Sequence, residues 1–430
     1  MFNLKYNFLS LTQVLVGLLN YFLLIKLFGV SNMADSYLIT SAIISSFLLL
    51  QMLTTEQFIF FYNDIKDKNI LEAHDFYNVV LSVALFTGII TFILCYFGVN
   101  IVVNIFVGNL ENERLLLIQQ LLQISIVELL VAPMQLINQK LMNAEMKFSI
   151  PYILNILPTV FVLFSMIYLY VYKLEDISLL IYGRVAGALV ILPLSFVIIQ
   201  KMNIPIKFSF KHSKLNYFLK NSFTMRLGHN IHNFLFTPIT TNILAMLPVG
   251  YAAYFFYALR MSNIVNGVIV GPSYNVFQSK FSQAWSKYDI KNSKRMIFQY
   301  LMITLPMIVI VSIIGYYILP HTLHIITAEL SNESLSIIQN VFLGLMIWQL
   351  IILVESGNVI VLIVEKKSTI FILTNIVFSI IYFIVSKFLF EYFSIYSLVY
   401  GLILGQLINY IVYTYYGKVT LNNKERKYDS

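Results

Sequence analysis

The 430-residue chain is 59% hydrophobic and 11% charged, with a formal net charge of +8. Soluble domains carry about 25% charged residues, so this chain cannot present a charged surface to water on all sides; its composition places it in a bilayer. Cys95 is the single cysteine, which excludes an intramolecular disulfide and a cysteine-rich metal site.

In chain order, apolar runs of membrane length fall near 8–29, 36–60, 76–106, 115–139, 149–171, 177–200, 217–246, 250–277, 296–319, 335–360, 368–389 and 394–416. At about 20 apolar residues per crossing they predict an all-α polytopic membrane protein with about twelve transmembrane helices. The first run, from Leu9 to Val30, has no small-residue cleavage site, and further runs follow at once. It reads as a first crossing rather than a signal peptide. With the N-terminus inside, the lysines collect on the cytoplasmic side, among them Lys66, Lys68, Lys147, Lys201, Lys207, Lys211, Lys214, Lys220, Lys366 and Lys367. That asymmetry is the positive-inside rule. It puts both termini in the cytoplasm and accounts for the basic charge without a nucleic-acid partner.

The chain also repeats itself. EMKFSIPYILNI (145–156) and EKKSTIFILTNI (365–376) align without a gap, matching Glu145 with Glu365, Lys147 with Lys367 and Asn155 with Asn375. Upstream at the same offset, Asn138 meets Asn358 and Gln135 meets Glu355; further on, YGRVAG (182–187) meets YGLILG (400–405). Two matches in order at nearly one offset predict two six-helix lobes: 1–205 and 217–416, joined by a basic linker at 206–216 and followed by a tail at 417–430. Parallel repeats of this kind put a substrate site at the repeat interface near the bilayer midplane.

Charges inside such spans cost roughly 2.5–3.5 kcal/mol each on insertion scales and need a partner or a wet cavity. In the seventh span, Arg226, Asn230, Asn233, Thr237 and Thr240 share one helical face, which reads as lining an aqueous cleft or as a buried polar interface. In the eighth, Arg260 stands near Asn263 and shares its face with Gly267 and Gly271. It reads either as a cavity-facing cation or as half of an ion pair with Glu128 or Glu355. Arg184 lies in the repeated motif, but its counterpart is Leu402, which argues against a scaffold role needed in both halves. Gln13 and Asn20 share a face of the first helix and read as hydrogen-bonded packing or as sugar contacts. Glu128 heads a stripe with Gln135 and Gln139 and reads as a counter-ion or a protonatable coupling group. His229 with His232, and His321 with His324, have i,i+3 spacing but no third ligand nearby, so no metal is expected. With no Walker A loop, nucleophile elbow or HExxH motif, no cofactor, ATPase or hydrolase is expected, and transport would draw on a gradient.

LFGVSNMADSYLITSAI (27–43) and EQFIFFYNDIK (56–66) resemble the opening of the MurJ/MviN lipid II flippases. LINQKLMNAEMKFSIPYILNILPTVF (136–161) resembles their fourth-to-fifth helix connection, and YFFYALRMSNIVNGVIVGPSYNVFQSKFSQA (254–284) their eighth helix. The resemblance implies the multidrug/oligosaccharidyl-lipid/polysaccharide (MOP) exporter superfamily: two six-helix lobes around a central cleft, alternating access and a polyprenyl-diphosphate-linked sugar as cargo. It places Asp35 on the family's acidic position after helix one and Arg260 on its cavity arginine. The family's arginines in helices one and two are absent here, and the chain ends after twelve spans rather than fourteen. Those departures move the expectation toward Wzx-type flippases.

The leading expectation is therefore a non-enzymatic flippase of the bacterial inner membrane carrying an undecaprenyl-diphosphate-linked O-antigen or capsule unit. Arg260, Arg226 and Arg184 would meet the diphosphate, and Asn230, Asn233, Asn263, Gln13 and Asn20 the sugars. Asp35, Glu128 and Glu355 are the gating or coupling candidates. Membrane lipids and polysaccharide polymerases or glycosyltransferases are the other expected partners. The alternatives are a lipid II flippase, a MATE-like drug exporter, which would need a more acidic cavity, and a membrane-embedded polymerase or acyltransferase.

Overall fold

The computed structural model of the protein describes residues 4–52, 57–108, 112–286, 289–326, 330–365 and 367–429. Among these the secondary structure is helical throughout. The helices are α1 (Leu4–Phe28), α2 (Asn32–Gln51), α3 (Phe58–Lys66), α4 (Ile70–Phe97), α5 (Val99–Val107), α6 (Asn112–Ser125), α7 (Val127–Ala144), α8 (Ser149–Tyr172), α9 (Ser178–Lys201), α10 (Leu215–Ala245), α11 (Tyr251–Ser286), α12 (Ile290–Ile326), α13 (Asn332–Val364), α14 (Ser368–Phe393) and α15 (Tyr396–Asp429). Each of the twelve expected spans falls on one of these rods or on a consecutive pair. By length and composition nine described helical rods can cross a membrane, and shorter apolar stretches, Leu15–Phe28 and Phe234–Ala245, lie in α1 and α10.

The boundaries follow local chemistry. α1 ends at Gly29, whose φ of +51° is the left-handed stop that glycine adopts without a Cβ clash. Ser31 then caps α2 by accepting from the Ala34 amide at 3.3 Å. Asn69 caps α4 through the amides of Leu71 and Glu72, and Ser331 caps α13 through that of Ser334. Outward faces carry rows of large apolar side chains at helical spacing: Phe86, Ile90, Leu94 and Phe97 on α4, and Ile303, Ile310, Ile314 and Tyr317 on α12. Rows of this extent belong against lipid rather than water.

Contacts divide the chain into two units, Met1–Val249 and Gly250–Ser430. In the first, α1 packs on α8, α4 on α7, α8 on α9, and α2 on α6 and α10. In the second, α13 packs on α11, α12 and α15, and α14 packs on α15. The division differs from the expected break at 206–216, because α10 belongs by contact to the first unit. Thr241 of α10 donates to the Phe106 carbonyl of α5 at 2.6 Å, and the Asn242 amide lies 2.8 Å from the Cβ position of Gly108. The linker itself is tied down along α4: Asn78 bonds the Pro205 carbonyl and the Lys207 amide, and Ser82 bonds the Ser209 amide. The expected tail continues α15 in helical form to Asp429.

The sequence repeat extends into the packing of each unit. Gly183 of α9 lets that helix approach Ser165 and Phe161 of α8, and Gly401 of α15 does the same against Ser386 and Tyr382 of α14. Gly187 meets Pro158, and Gly405 meets Phe378. α8 and α14 both end on a residue of positive φ, Lys173 and Ser394. Glu145 after α7 accepts from the Tyr62 hydroxyl at 2.8 Å, and Glu365 after α13 from the Trp285 indole at 2.7 Å. Lysines close both carboxylates, Lys66 on Glu145 and Lys424 on Glu365.

Candidate functional site

In the first unit, the polar residues predicted inside the helices are arranged in three layers. Asp35, in the first turn of α2 where the helix dipole favours an acid, is fully buried and pairs with Arg114 of α6 at 2.9 Å. Its repeat counterpart is the hydroxyl pair of Tyr254 and Ser334, at 2.7 Å. The charge pair of one half is thus a neutral hydrogen bond in the other.

The second layer is centred on Arg184 of α9. Its Nε donates to Glu128 Oε1 at 2.5 Å and its Nη1 to Ser41 Oγ of α2 at 3.0 Å. Nη2 is buried without a partner among the described residues. Glu128 is therefore the counter-ion of Arg184, one of the two roles its sequence position suggested. At the repeat offset, Ser41, Glu128 and Arg184 correspond to Arg260 or its neighbour, Trp348 and Leu402. The half that holds Arg260 has an indole where the other half has the neutralising acid.

The third layer is hydrogen-bonded packing. Gln135 donates to the Ala188 carbonyl. Asn138 accepts from the Tyr77 hydroxyl at 2.8 Å and donates to Ser195 at 2.7 Å. Asn20 of α1 donates to the Thr159 carbonyl of α8 at 2.7 Å. Asn20 is thereby committed to helix packing, while Gln13 is half-buried on α1.

In the second unit Arg260 and Asn263 are exposed on α11. The acids suggested as ion-pair partners for Arg260 have other partners: Glu128 pairs with Arg184, and Glu355 of α13 accepts from Gln406 of α15 at 2.6 Å. Gln406 in turn accepts from the Trp348 indole at 3.1 Å. Nearby, Asn266 donates to Gln349, Asn358 to Thr414, and Thr374 to the Tyr413 hydroxyl. Asn358 crosses to α15, and its counterpart Asn138 crosses to α9, the helix that carries the matching repeat motif.

The side chains of Arg226, Asn230 and Asn233 lie outside the described residues, although their backbone is in α10. Thr240, the end of that predicted stripe, is buried and bonds its own helix at the Phe236 carbonyl. Arg184 and Arg260 differ in setting: Arg184 is half-buried and pairs with Glu128, and Arg260 is exposed on α11.

Sequence reasoning passed over Arg114, Trp348, Gln406 and Asn409 as site residues, and read Ser41, with Ser45 and Thr55, as hydrogen-bonded packing on helix two. A signal for two of the residues passed over was present. Gln406 directly follows the repeated Tyr-Gly-x-x-x-Gly motif, and the offset of 220 that matches Gln135 with Glu355 places Arg114 on Ser334.

The fold is that of MOP-superfamily transporters. A solved structure titled lipid II flippase MurJ, inward closed conformation, is 16% identical with a TM-score of 0.80, the match covering 98% of this chain and 90% of that one. An inward-facing multidrug resistance MATE transporter is 13% identical with a TM-score of 0.73, over 97% and 99%. A MOP transporter from Pyrococcus furiosus, whose title reports reversed polarity of the binding pocket, is 12% identical with a TM-score of 0.66, over 97% and 95%. Likeness at these identities defines the fold and not the cargo. Comparison with curated protein sequences returns no match. The family described as "Lipid II flippase MurJ" matches residues 24–325. The chain belongs to the MurJ family, and is a multi-pass membrane transporter rather than an enzyme.

Proposed function

We propose that this protein flips a polyprenyl-diphosphate-linked saccharide of the lipid II type across the bacterial cytoplasmic membrane. The family match favours lipid II over the O-antigen or capsule unit that the missing helix-one and helix-two arginines suggested. The observation that carries the reading is Arg260, an exposed guanidinium on α11 with the exposed Asn263 one turn further along the same helix. Planar guanidinium groups match phosphate oxygens in pairs and shed water more readily than ammonium, which suits a diphosphate entering a partly dry site. A cationic drug would be repelled there, which disfavours a MATE-like cargo. Asn263, beside Arg260, is placed to meet sugar hydroxyls. Both termini face the cytoplasm in this reading, an orientation supported by the lysine distribution.

The test is translocation in proteoliposomes, with fluorescent lipid II compared against an undecaprenyl-diphosphate O-antigen unit. Lipid II is expected to move faster, and Arg260→Ala to slow it at least tenfold, with Arg260→Lys in between because a lysine keeps charge but not the bidentate geometry. Wild-type rates in Arg260→Ala, at normal abundance, would remove the diphosphate contact. Preference for the O-antigen unit would restore the Wzx-type cargo.

A further inference from the structure

Glu355 lies inside the span of α13, nine residues before its end at Val364, and only 6% of it is exposed. Oε1 accepts one hydrogen bond, from Gln406 Nε2. The orientation of that amide is fixed by its other end. Gln406 Oε1 accepts from the Trp348 indole, which is only a donor, so Gln406 must present its NH2 to the carboxyl group. Oε2 has no partner among the described residues, and neither does Asn409 Oδ1, one turn further along α15. Gln406, Asn409 and Tyr413 are spaced i, i+3 and i+7, a single stripe of α15. Both unsatisfied atoms are acceptors, so the missing species is a donor.

The helices packed against α13 supply no cation at this level among the described residues. Asn266 of α11 bonds Gln349, and Trp285 of α11 bonds Glu365, so Glu355 lies between these two rungs. There, Tyr274 of α11 faces Tyr300 of α12 with ring centroids 6.2 Å apart. On α15, the Tyr413 hydroxyl accepts from Thr374 at 2.7 Å. Phenols ionise near pH 10 and are neutral here. Arg260 sits on the far side of the Asn266 rung, roughly 18 Å from Glu355 in axial rise at 1.5 Å per residue.

The first half of the chain shows that the fold does not need a carboxyl group. Gln135 holds the corresponding place on α7 and donates to the Ala188 carbonyl, and Ala188 is the counterpart of Gln406. An amide suffices for packing, so the acid is an addition specific to the second half. An intramembrane carboxyl with one neutral partner is stable as the acid and costly as the anion.

We propose that Glu355 is a proton-binding site of the transport cycle, holding a proton in the packing seen here and releasing it to water when α13 and α15 separate. The step is the simple equilibrium of a carboxylate and a proton with the carboxylic acid, and the bound proton supplies the O–H donor that the unsatisfied acceptors lack. Proton movement on this site would let a pH gradient drive cargo translocation. The inference rests on the transporter reading above.

The proton can be read without cargo. Infrared difference spectroscopy of the full chain in lipid is expected to show a protonated carboxyl band at neutral pH that disappears in Glu355→Gln and shifts in Glu355→Asp. Gln is the residue that the sister position already tolerates. In proteoliposomes, an imposed pH gradient is expected to change lipid II translocation several-fold in wild type, and this response is expected to vanish in Glu355→Gln. The proposal is overturned if the wild-type minus Glu355→Gln difference shows a carboxylate band rather than a protonated carboxyl band at neutral pH, by a carboxyl signal that follows sodium rather than pH, or by an equal gradient response in both proteins. If the band is present but no lipid-linked saccharide moves in the wild type, the cargo reading fails and the proton site stands.

Discussion

Arg184 Nε lies 2.5 Å from Glu128 Oε1 inside the first unit, and the same two places in the second unit hold Leu402 and Trp348. A half-repeat that does without the ion pair shows that the fold accepts apolar residues in both places together, but breaking a buried pair on one side alone leaves an uncompensated charge. Arg184→Leu is therefore expected to destabilise the protein by about 3–5 kcal/mol, and the double variant Arg184→Leu/Glu128→Leu to recover most of that loss. Thermal unfolding in detergent measures both. Equal losses in the single and double variants would show that Arg184 matters through something besides Glu128.

The ion pair also shows where the sequence is informative. Helix number and order were legible because bilayer thickness imposes a length on each apolar run, and the lysines mark the turns on one side. Gln135–Glu355 and Glu145–Glu365 were legible as a repeat because both halves solve one packing problem. Side-chain partners were not. Glu128 was read as a candidate partner of Arg260, and the packing of α7 on α9 instead brings it against Arg184. Asn20 looked as suited to a sugar as to the Thr159 carbonyl it bonds. The contact division at 249/250 was not legible because nothing in the spacing of α10 records that Thr241 bonds the Phe106 carbonyl.

Gly183 and Gly401 are close-approach glycines in register with each other. A Cβ at either position would lie 3.0 Å from a backbone carbonyl, that of Phe161 or Tyr382, besides colliding with a serine hydroxyl. The serine can rotate but the carbonyl cannot, so α8 and α9, or α14 and α15, would have to separate. Gly183→Val and Gly401→Val are each expected to cost about 1–3 kcal/mol through overpacking, with Ala milder than Val at both sites. Melting temperatures of the four variants provide the comparison, and an unaffected Val variant would show that the helices are free to part.

Asp35–Arg114 and Tyr254–Ser334 are repeat counterparts of different chemistry, one a buried ion pair at 2.9 Å and the other a hydroxyl pair at 2.7 Å. Asp35→Leu strands a guanidinium that is 3% exposed, and is expected to cost about 3–5 kcal/mol. Tyr254→Phe removes one neutral hydrogen bond and is expected to cost about 1 kcal/mol. Chemical denaturation of both variants tests the contrast. Similar losses would mean that Arg114 finds water or another acceptor once Asp35 is gone.

His212 lies in the segment between α9 and α10, and the docking of that segment along α4 is expected to depend on pH. Its Nδ1 accepts from the Lys214 amide at 3.2 Å, and its ring meets Phe76 edge-on. Burial holds the imidazole below its ordinary value, with Glu72 opposing that shift more weakly. The released linker therefore binds a proton more readily than the docked one, and docking is favoured above an exposed histidine's pKa of about 6.5 and weakens as pH falls below it. The Lys207 and Ser209 amides, bonded to Asn78 Oδ1 and Ser82 Oγ at 2.9 Å, report the docked state. Their hydrogen-exchange protection, corrected for intrinsic rates, is expected to fall from about pH 7 to about pH 5. His212→Asn keeps an acceptor for the Lys214 amide but cannot take up the proton, so its protection should stay level over the same range. A parallel fall in both proteins would show that His212 is not the group responsible.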